Sequence, residues 1–424
     1  MLAERAVTLL GEDGDPAERA HVLAIHAWVL VLRGKARRAA AARSEAERLA
    51  EGLDPLGPTW PWQDLLLRTR VALGELERAR TDSLALCRRA REAGALATLG
   101  CALIAAADAT LRLGEWEAAD AATLEAIRVA GDTRQHIWHG YALTFRARLA
   151  AARGDEPESR RAALEALRIA EAEGISTGRR HAHAALGFLE FSLDRVDAAI
   201  VELENVEQLV RDSGLEEPTI VPWAPDLVEA YVRARRADDA RRVLGTLERQ
   251  ATASGIATAR AAAARCRGMV DEDFEPAFAE ALVLDDRRPM PFERARTLLA
   301  FGRRLHRARR RAEARDRLRE ALAGFDRLGA AAWATQVENE LRAAGARRRV
   351  ARDGALSSQE LRVAAAVRRG ASNREIAAEL FLAPKTIEFH LSQIYRKLGI
   401  HSRTQLVAAL ERQTSPATGE PHRQ

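Results

Sequence analysis

The segment Leu113-Gly114-Glu115-Trp116 decides how most of the chain is read, because it recurs. Forty residues upstream stands Leu73-Gly74-Glu75, and forty before that Leu32-Arg33-Gly34. Downstream, at the same interval, come Arg153-Gly154-Asp155 and Leu193-Asp194-Arg195. The pivots Gly34, Gly74, Gly114, Gly154 and Asp194 therefore share a 40-residue period, and five residues after each sits a small side chain: Ala39, Ala79, Ala119, Ser159 and Ala199. A second set of glycines falls about midway, at Gly52, Gly94, Gly131, Gly174, Gly214 and Gly255. Arg235 and its neighbours continue the period with a small slip, and Arg309 to Ala314 resume it less clearly. Between the punctuation marks the pattern is amphipathic: Leu99, Leu103, Ala106 and Ala107 share a face ahead of Gly114, and Ala118, Ala122, Ile127 and Ala130 share one after it. Each unit reads as helix A, a tight turn, helix B and a looser loop. Glycine or aspartate at the pivot supplies the left-handed or capping geometry that ends helix A. The small residue lets helix B lie close to its neighbours. A helix pair cannot bury its apolar face alone, so stacking into a solenoid is the expected solution. One irregular helical domain is the alternative, and a pivot held over five units argues against it.

Length and composition agree with that reading. The 424 residues exceed one ordinary compact domain, at roughly 150 residues per domain. Apolar residues at 47% can bury a core, and aromatics at 5% with abundant Ala, Leu and Arg favour helix over a β-sandwich or barrel. Cys87, Cys101 and Cys266 are odd in number and scattered, which excludes a disulfide framework and a four-cysteine zinc site. The N-terminus carries Glu4 and Arg5 where a signal peptide would have a basic stub and an apolar core. The longest uncharged run, Ala93 to Ala107, falls short of the roughly 20 residues of a membrane span. The expectation is an all-α, cytoplasmic protein with no membrane segment.

Charge separates the chain into two parts. From Arg347 to the end there are 14 Lys+Arg against 7 Asp+Glu, while the whole chain is +5, so the first 346 residues are slightly acidic. A near-neutral body with a basic C-terminal module points to a polyanionic partner for that module. Within it, Ser357 with Glu360, Ser372 with Glu375, and Ser402 with Gln405 form S-x-x-[EQ] capping boxes that start helices. Gly370 ends the first helix, and Leu382-Ala383 makes a short turn before Pro384, suited to a helix's first position. Four short helices are predicted between Leu356 and Leu410, the second and third forming a helix-turn-helix. On the third, Ile387, Leu391, Ile394 and Leu398 should pack on Ile376, Ala377 and Leu380. The opposite stripe holds Lys385, Glu388, Phe389, Ser392 and Arg396, as a major groove can accept.

These residues carry two resemblances. Leu356-Ser-Ser-Gln-Glu, Ala371-Ser-Asn-Arg-Glu-Ile-Ala-Ala-Glu-Leu, Pro384-Lys-Thr-Ile-Glu-Phe-His-Leu-Ser-Gln-Ile-Tyr-Arg-Lys-Leu and Ser402-Arg-Thr-Gln resemble the LuxR-type (NarL-like) DNA-binding domain, nearly without gaps. The resemblance implies base-edge contacts from Glu388, Phe389 and Ser392, and phosphate contacts from Asn373, Lys385, Thr386, Arg396 and Lys397. It implies dimerisation through Leu406, Val407 and Leu410 of the fourth helix. Glu388 as acceptor from a cytosine amino group and Glu388 as a solvated residue remain open together, as do Phe389 on a thymine methyl and Phe389 supporting the turn. Ala383 stands where the family usually has Ser or Thr, removing a side-chain cap worth about 1 kcal/mol. Gln359 and Ala364 also depart from the usual arginine and larger aliphatic. The repeats resemble the tetratricopeptide-like units of large LuxR regulators of the maltose-activator type, in pattern only. Those regulators carry a nucleotide-binding module ahead of the repeats. No G-x-x-x-x-G-K-[ST] loop occurs here: Gly34-Lys35 has Val29 and Ala36 at the wrong places. Met1 to Leu10 is expected to be a helix B with no helix A before it.

The organisation expected is a repeat solenoid over 1–345, a basic linker over 346–355 around Arg347-Arg348-Arg349, the DNA-binding domain over 356–412 and a disordered tail over 413–424. His136-x-x-His139 and His181-x-His183 lack the partners of a metal site, and no nucleophile elbow, H-E-x-x-H or dinucleotide fingerprint occurs. Trp62, Trp138, Tyr141 and Trp223 are candidates for either core packing or an effector surface on the A helices. The function expected is a bacterial transcription regulator, not an enzyme and without a cofactor. It would bind promoter DNA as a homodimer on paired half-sites, with a protein or small-molecule effector at the solenoid. The competing reading is an interaction scaffold with vestigial DNA binding.

Overall fold

The computed structural model of the chain describes residues 15–57, 61–287, 290–345, 358–380 and 384–414. Met1 to Leu10, the 346–355 linker and the tail from 415 lie outside them. Among the described residues there are 21 helices and no strand. They fall into two compact units, Met1–Gly345 and Ala346–Gln424.

The first unit is a run of antiparallel helix pairs. Its A helices are α1 (Pro16–Leu32), α3 (Pro61–Ala72), α5 (Leu96–Leu113), α7 (His136–Arg153), α9 (Ser176–Ser192), α11 (Ala224–Arg233), α13 (Ala257–Val270) and α15 (Pro291–Arg307). They alternate with α2 (Ala36–Leu49), α4 (Leu76–Glu92), α6 (Trp116–Asp132), α8 (Glu156–Ala172), α10 (Val196–Ser213), α12 (Ala237–Ser254), α14 (Glu275–Arg287) and α16 (Arg311–Leu328), and α17 (Ala331–Ala343) closes the set. Of the two geometries expected at the pivots, every one adopts the left-handed, with φ from +66° at Gly34 to +87° at Gly154 and +67° at Asp194. At Gly34 the turn is a Schellman motif: Gly34 N–H donates to Val31 O at 2.8 Å and Lys35 N–H to Leu30 O at 2.9 Å. The slipped repeats use arginine at the pivot, Arg235 at φ +59° and Arg309 at φ +62°. Ala39, Ala79, Ala119, Ser159 and Ala199 are all buried, and the Ser159 hydroxyl donates to Ala147 O of the preceding A helix at 2.8 Å.

Two details differ from the sequence reading. Gly131 lies inside α6, and Arg134 at φ +55° makes that loop's left-handed turn instead. The buried face of α6 runs through Trp116, Ala119, Ala122, Thr123, Ala126, Val129 and Ala130, whereas Ala118 is exposed and Ile127 half-buried. Ala122 and Ala130 of the expected stripe are buried, and the stripe shifts only where Ala119 is buried in place of Ala118 and Ala126 in place of Ile127.

The repeat also breaks once. Between α10 and α11, residues 215–223 are not helical, because Pro218 and Pro222 remove donors and restrict the residues before them, while Pro225 sits in the first turn of α11. This segment runs into the interior: Glu217, Val221 and Trp223 are buried. Glu216 N–H donates to Leu32 O at 2.9 Å, and Thr219 Oγ1 donates to Ala72 O at 3.2 Å. Further contacts close the body on itself. Trp333 Nε1 donates to Ser192 Oγ at 3.1 Å, and Gln336 Nε2 to Ser192 O at 3.0 Å. Trp333 also packs on Phe292, with ring centroids 5.3 Å apart. The apolar helix α5 has the length and composition of a membrane span but is mostly buried inside this unit.

Tyr141 and Trp223 are core residues, Trp138 is half-buried beside Tyr141, and Trp62's side chain lies outside the described residues. The histidines are engaged singly: His136 with Glu173 at 3.2 Å, His183 with Glu202 at 2.7 Å, and His181 with Thr177 O at 2.8 Å. All three cysteines are free and buried.

Candidate nucleic-acid interface

The second unit contains α18 (Ser358–Arg368), α19 (Asn373–Glu379), α20 (Pro384–Leu398) and α21 (Arg403–Thr414). Two of the predicted start signals form hydrogen-bonded caps. At α19, Ser372 N–H donates to Glu375 Oε2 at 2.7 Å and Glu375 N–H to Ser372 Oγ at 3.3 Å, a reciprocal capping box. That bonding holds the Glu375 carboxyl below its usual range. At α21, Gln405 N–H donates to Ser402 Oγ at 3.2 Å, while the Gln405 side chain reaches one residue further back, to His401 N–H at 2.7 Å. Gly370 ends α18 at φ +87°. Ser357 and the Leu382-Ala383 turn lie outside the described residues.

The module's core is the one the helical period marked. Ile387, Leu391 and Ile394 of α20 are buried with Ile376 and Ala377 of α19 and Val363, Ala364, Ala366 and Val367 of α18, while Leu380 and Leu398 close its edge. Burying these side chains fixes the rotation of α20 and so turns its other face outward. Glu388, Ser392 and Arg396 are exposed there, and Phe389 is 58% exposed, a large aromatic held in water. Thr386 is half-buried at the start of the same helix; Lys385's side chain lies outside the described residues. The Ser392 hydroxyl donates to Glu388 O at 2.9 Å, leaving its oxygen to accept. Arg396 bonds Gln393 one turn back.

The remaining candidates are tied into the module. The Lys397 ammonium bonds Glu360 of α18, whose carboxylate is buried. Asn373 Oδ1 accepts from Arg403 at 3.2 Å, and Arg403 also bonds Ala371 O, so the first turn of α19 is pinned to α21. Burial pulls the His390 pKa below its usual value. Leu406 is completely buried in the module core, so it anchors α21 and offers no surface to a second copy; Val407 and Leu410 are partly buried against the same core. Glu360 and Arg403 as bracing residues were not visible in the sequence, where nothing marks their distant partners.

Residues 354–410 match the family described as bacterial regulatory proteins, luxR family. An HTH-type transcriptional regulator of Mycobacterium tuberculosis is 40% identical over 107 residues, 24% of this chain and 12% of the relative. The HTH-type regulator GfsR of Streptomyces halstedii is 51% identical over 51 residues, 12% of this chain and 21% of that protein. The chain thus spans a small part of the regulators it matches. Among solved structures, the apo form of RapI aligns over 76% of this chain and 99% of its own, with 10% identity and a TM-score of 0.45.

Proposed function

We propose that this chain is a bacterial transcription regulator whose luxR-family unit binds promoter DNA through α20, and whose repeat body is the effector- or partner-sensing region. The observation that carries the first part is the two-faced α20: Ile387, Leu391 and Ile394 lock it into the module while Glu388, Phe389, Ser392 and Arg396 stand in solvent. A helix held this way enters a major groove with its outer stripe against base edges. Glu388, Phe389 and Ser392 are the base-reading candidates. Lys385, Thr386, Arg396, Asn373 and Lys397 are the phosphate-facing candidates, and each neutralised phosphate adds to a salt-dependent affinity. Binding as a homodimer on paired half-sites, through the outer side of α21 around Val407 and Leu410, follows from the same reading, as does a cytoplasmic location.

The test is capture of genomic fragments by the purified full-length chain at two salt concentrations, beside a Lys385→Ala/Ser392→Ala double variant. Recovery of a shared two-fold symmetric sequence that the variant loses supports the reading. Weak, sequence-blind capture that the variant leaves unchanged refutes it.

A further inference from the structure

The interior of the repeat body holds a cavity of about 140 Å³, walled by α5, α7, α9, α13, α15 and the non-helical segment through Thr219. Space of that order admits a small organic molecule rather than one or two waters. Much of the lining is apolar, including Phe145, Phe188, Ile220, Val221, Met290 and Phe292. The acidic groups around it are already held. Arg112 bonds Asp108 at 2.6 Å, Arg265 bonds Glu293 at 2.7 Å, Arg296 bonds Asp226 at 2.6 Å, and Asp285 accepts from Thr297 at 2.9 Å. Burial lowers the His181 pKa to about 4, so that wall residue is neutral at pH 7.

One charge in the wall is left over. The Arg148 guanidinium stacks 4.4 Å above the Phe188 ring, and its Nη1 is shut off from solvent with no hydrogen-bond partner. No carboxylate of the described residues lies within 4 Å of it: the charges of Asp226 and Glu293 act on it from further away, and each is in contact with another arginine, Asp226 with Arg296 and Glu293 with Arg265. Arginine keeps its charge in a protein interior, and buried charges are normally paired. An unpaired guanidinium in the wall of an apolar cavity is half of an anion site, and its planar fork matches a carboxylate.

We propose that this cavity binds a small organic carboxylate with an apolar body, its carboxylate on Arg148 and its body against Phe188 and Phe292. The proposal rests on the reading of the repeat body as a sensing region and names the chemical class of the effector. With Arg112, Arg265 and Arg296 already paired to carboxylates, one available guanidinium among aromatic walls suits a monoanion better than inorganic phosphate, which needs several donors.

The test titrates the full-length chain by calorimetry with matched acid and amide pairs: 3-phenylpropionate and its amide, octanoate and its amide, indole-3-acetate and its amide, and inorganic phosphate. At least one acid should bind at least about tenfold more tightly than its amide, the scale of a charge-assisted bond. Arg148→Gln should bring the acid down to the amide's affinity without weakening the amide. Arg148→Lys should fall between, which covers a failure of the glutamine variant to fold. The proposal is overturned if no acid binds, if acid and amide bind alike, if phosphate binds better than the acids, or if Arg148→Gln leaves acid binding intact. Repeating the genomic capture with the bound acid separates the two readings. Binding without any change in DNA capture removes the sensing role and leaves the site standing.

Discussion

Lys397 and Arg396 are neighbours in the sequence with different loyalties. Lys397 bonds the buried carboxylate of Glu360, whereas Arg396 is exposed with Gln393 as its partner. Lys397→Ala removes a cation from a buried carboxylate and should cost the module about 1.5–3 kcal/mol. Arg396→Ala should stay within about 0.5 kcal/mol of the native chain. Hydrogen exchange of the α18 amides in the full-length protein separates the two: only the lysine variant should lose protection. In the body, His181 is the residue to watch with pH. Its pKa is lowered from 6.5 to about 4 by burial, so between those values the unfolded chain binds the proton and the folded chain does not. Its contribution is present above pH 6.5 and is lost as pH falls toward 4, up to about 3 kcal/mol. Asp64 and Asp285, both raised to about 6 by burial, titrate with the opposite sign over much of that range. The difference between native and His181→Gln isolates the histidine. The variant should gain stability relative to native as pH drops from 7 to 4, and a constant difference in thermal unfolding would refute the assignment.

At the scale of the helix pair, the pivots offer two substitutions of opposite sign. Gly114 has φ +81°, and a Cβ there would lie 2.5 Å from Pro291 Cγ and 2.9 Å from Leu328 Cδ2. Gly114→Ala therefore meets both backbone strain and a packed neighbour, at about 1–3 kcal/mol. Arg309 occupies the same turn at φ +62° with an exposed side chain. Arg309→Gly removes a left-handed L-residue and should stabilise the body by about 0.5–1 kcal/mol. Denaturant midpoints of the body's unfolding transition should move in opposite directions for the two variants. Turns of this kind were legible in advance at Gly34, Gly74, Gly114, Gly154 and Asp194 because left-handed geometry selects glycine and aspartate. They were less legible at Arg235 and Arg309, and hidden at Arg134, because a Schellman turn is made of backbone bonds and can impose its φ on an arginine when packing on both sides holds the helices.

For the whole molecule, the salt dependence of DNA binding is the integrated readout. Lys385→Ala should lower the log–log salt slope by about 1 and weaken all DNA sequences alike, whereas Glu388→Ala and Ser392→Ala should relax preference at single base positions with the slope kept. Fluorescence titrations over a salt series, against the captured operator and a scrambled duplex, distinguish the two patterns. What the sequence by itself determined is everything that depends on local repetition. It set the all-α class, the 40-residue repeat with its turns and buried small residues, and the module whose inward Ile387, Leu391 and Ile394 leave Glu388, Phe389 and Ser392 outside. These follow from helical period and cap chemistry, which act over a few residues. Only the tertiary structure decided what depends on residues far apart. The proline-broken segment folds into the body, Trp333 reaches Ser192, Leu406 turns into the core, Lys397 is held by Glu360, and Arg148 is left unpaired in an apolar cavity. Partners separated by tens or hundreds of residues leave no periodic trace, since burial and charge pairing are settled only when the chain has closed on itself.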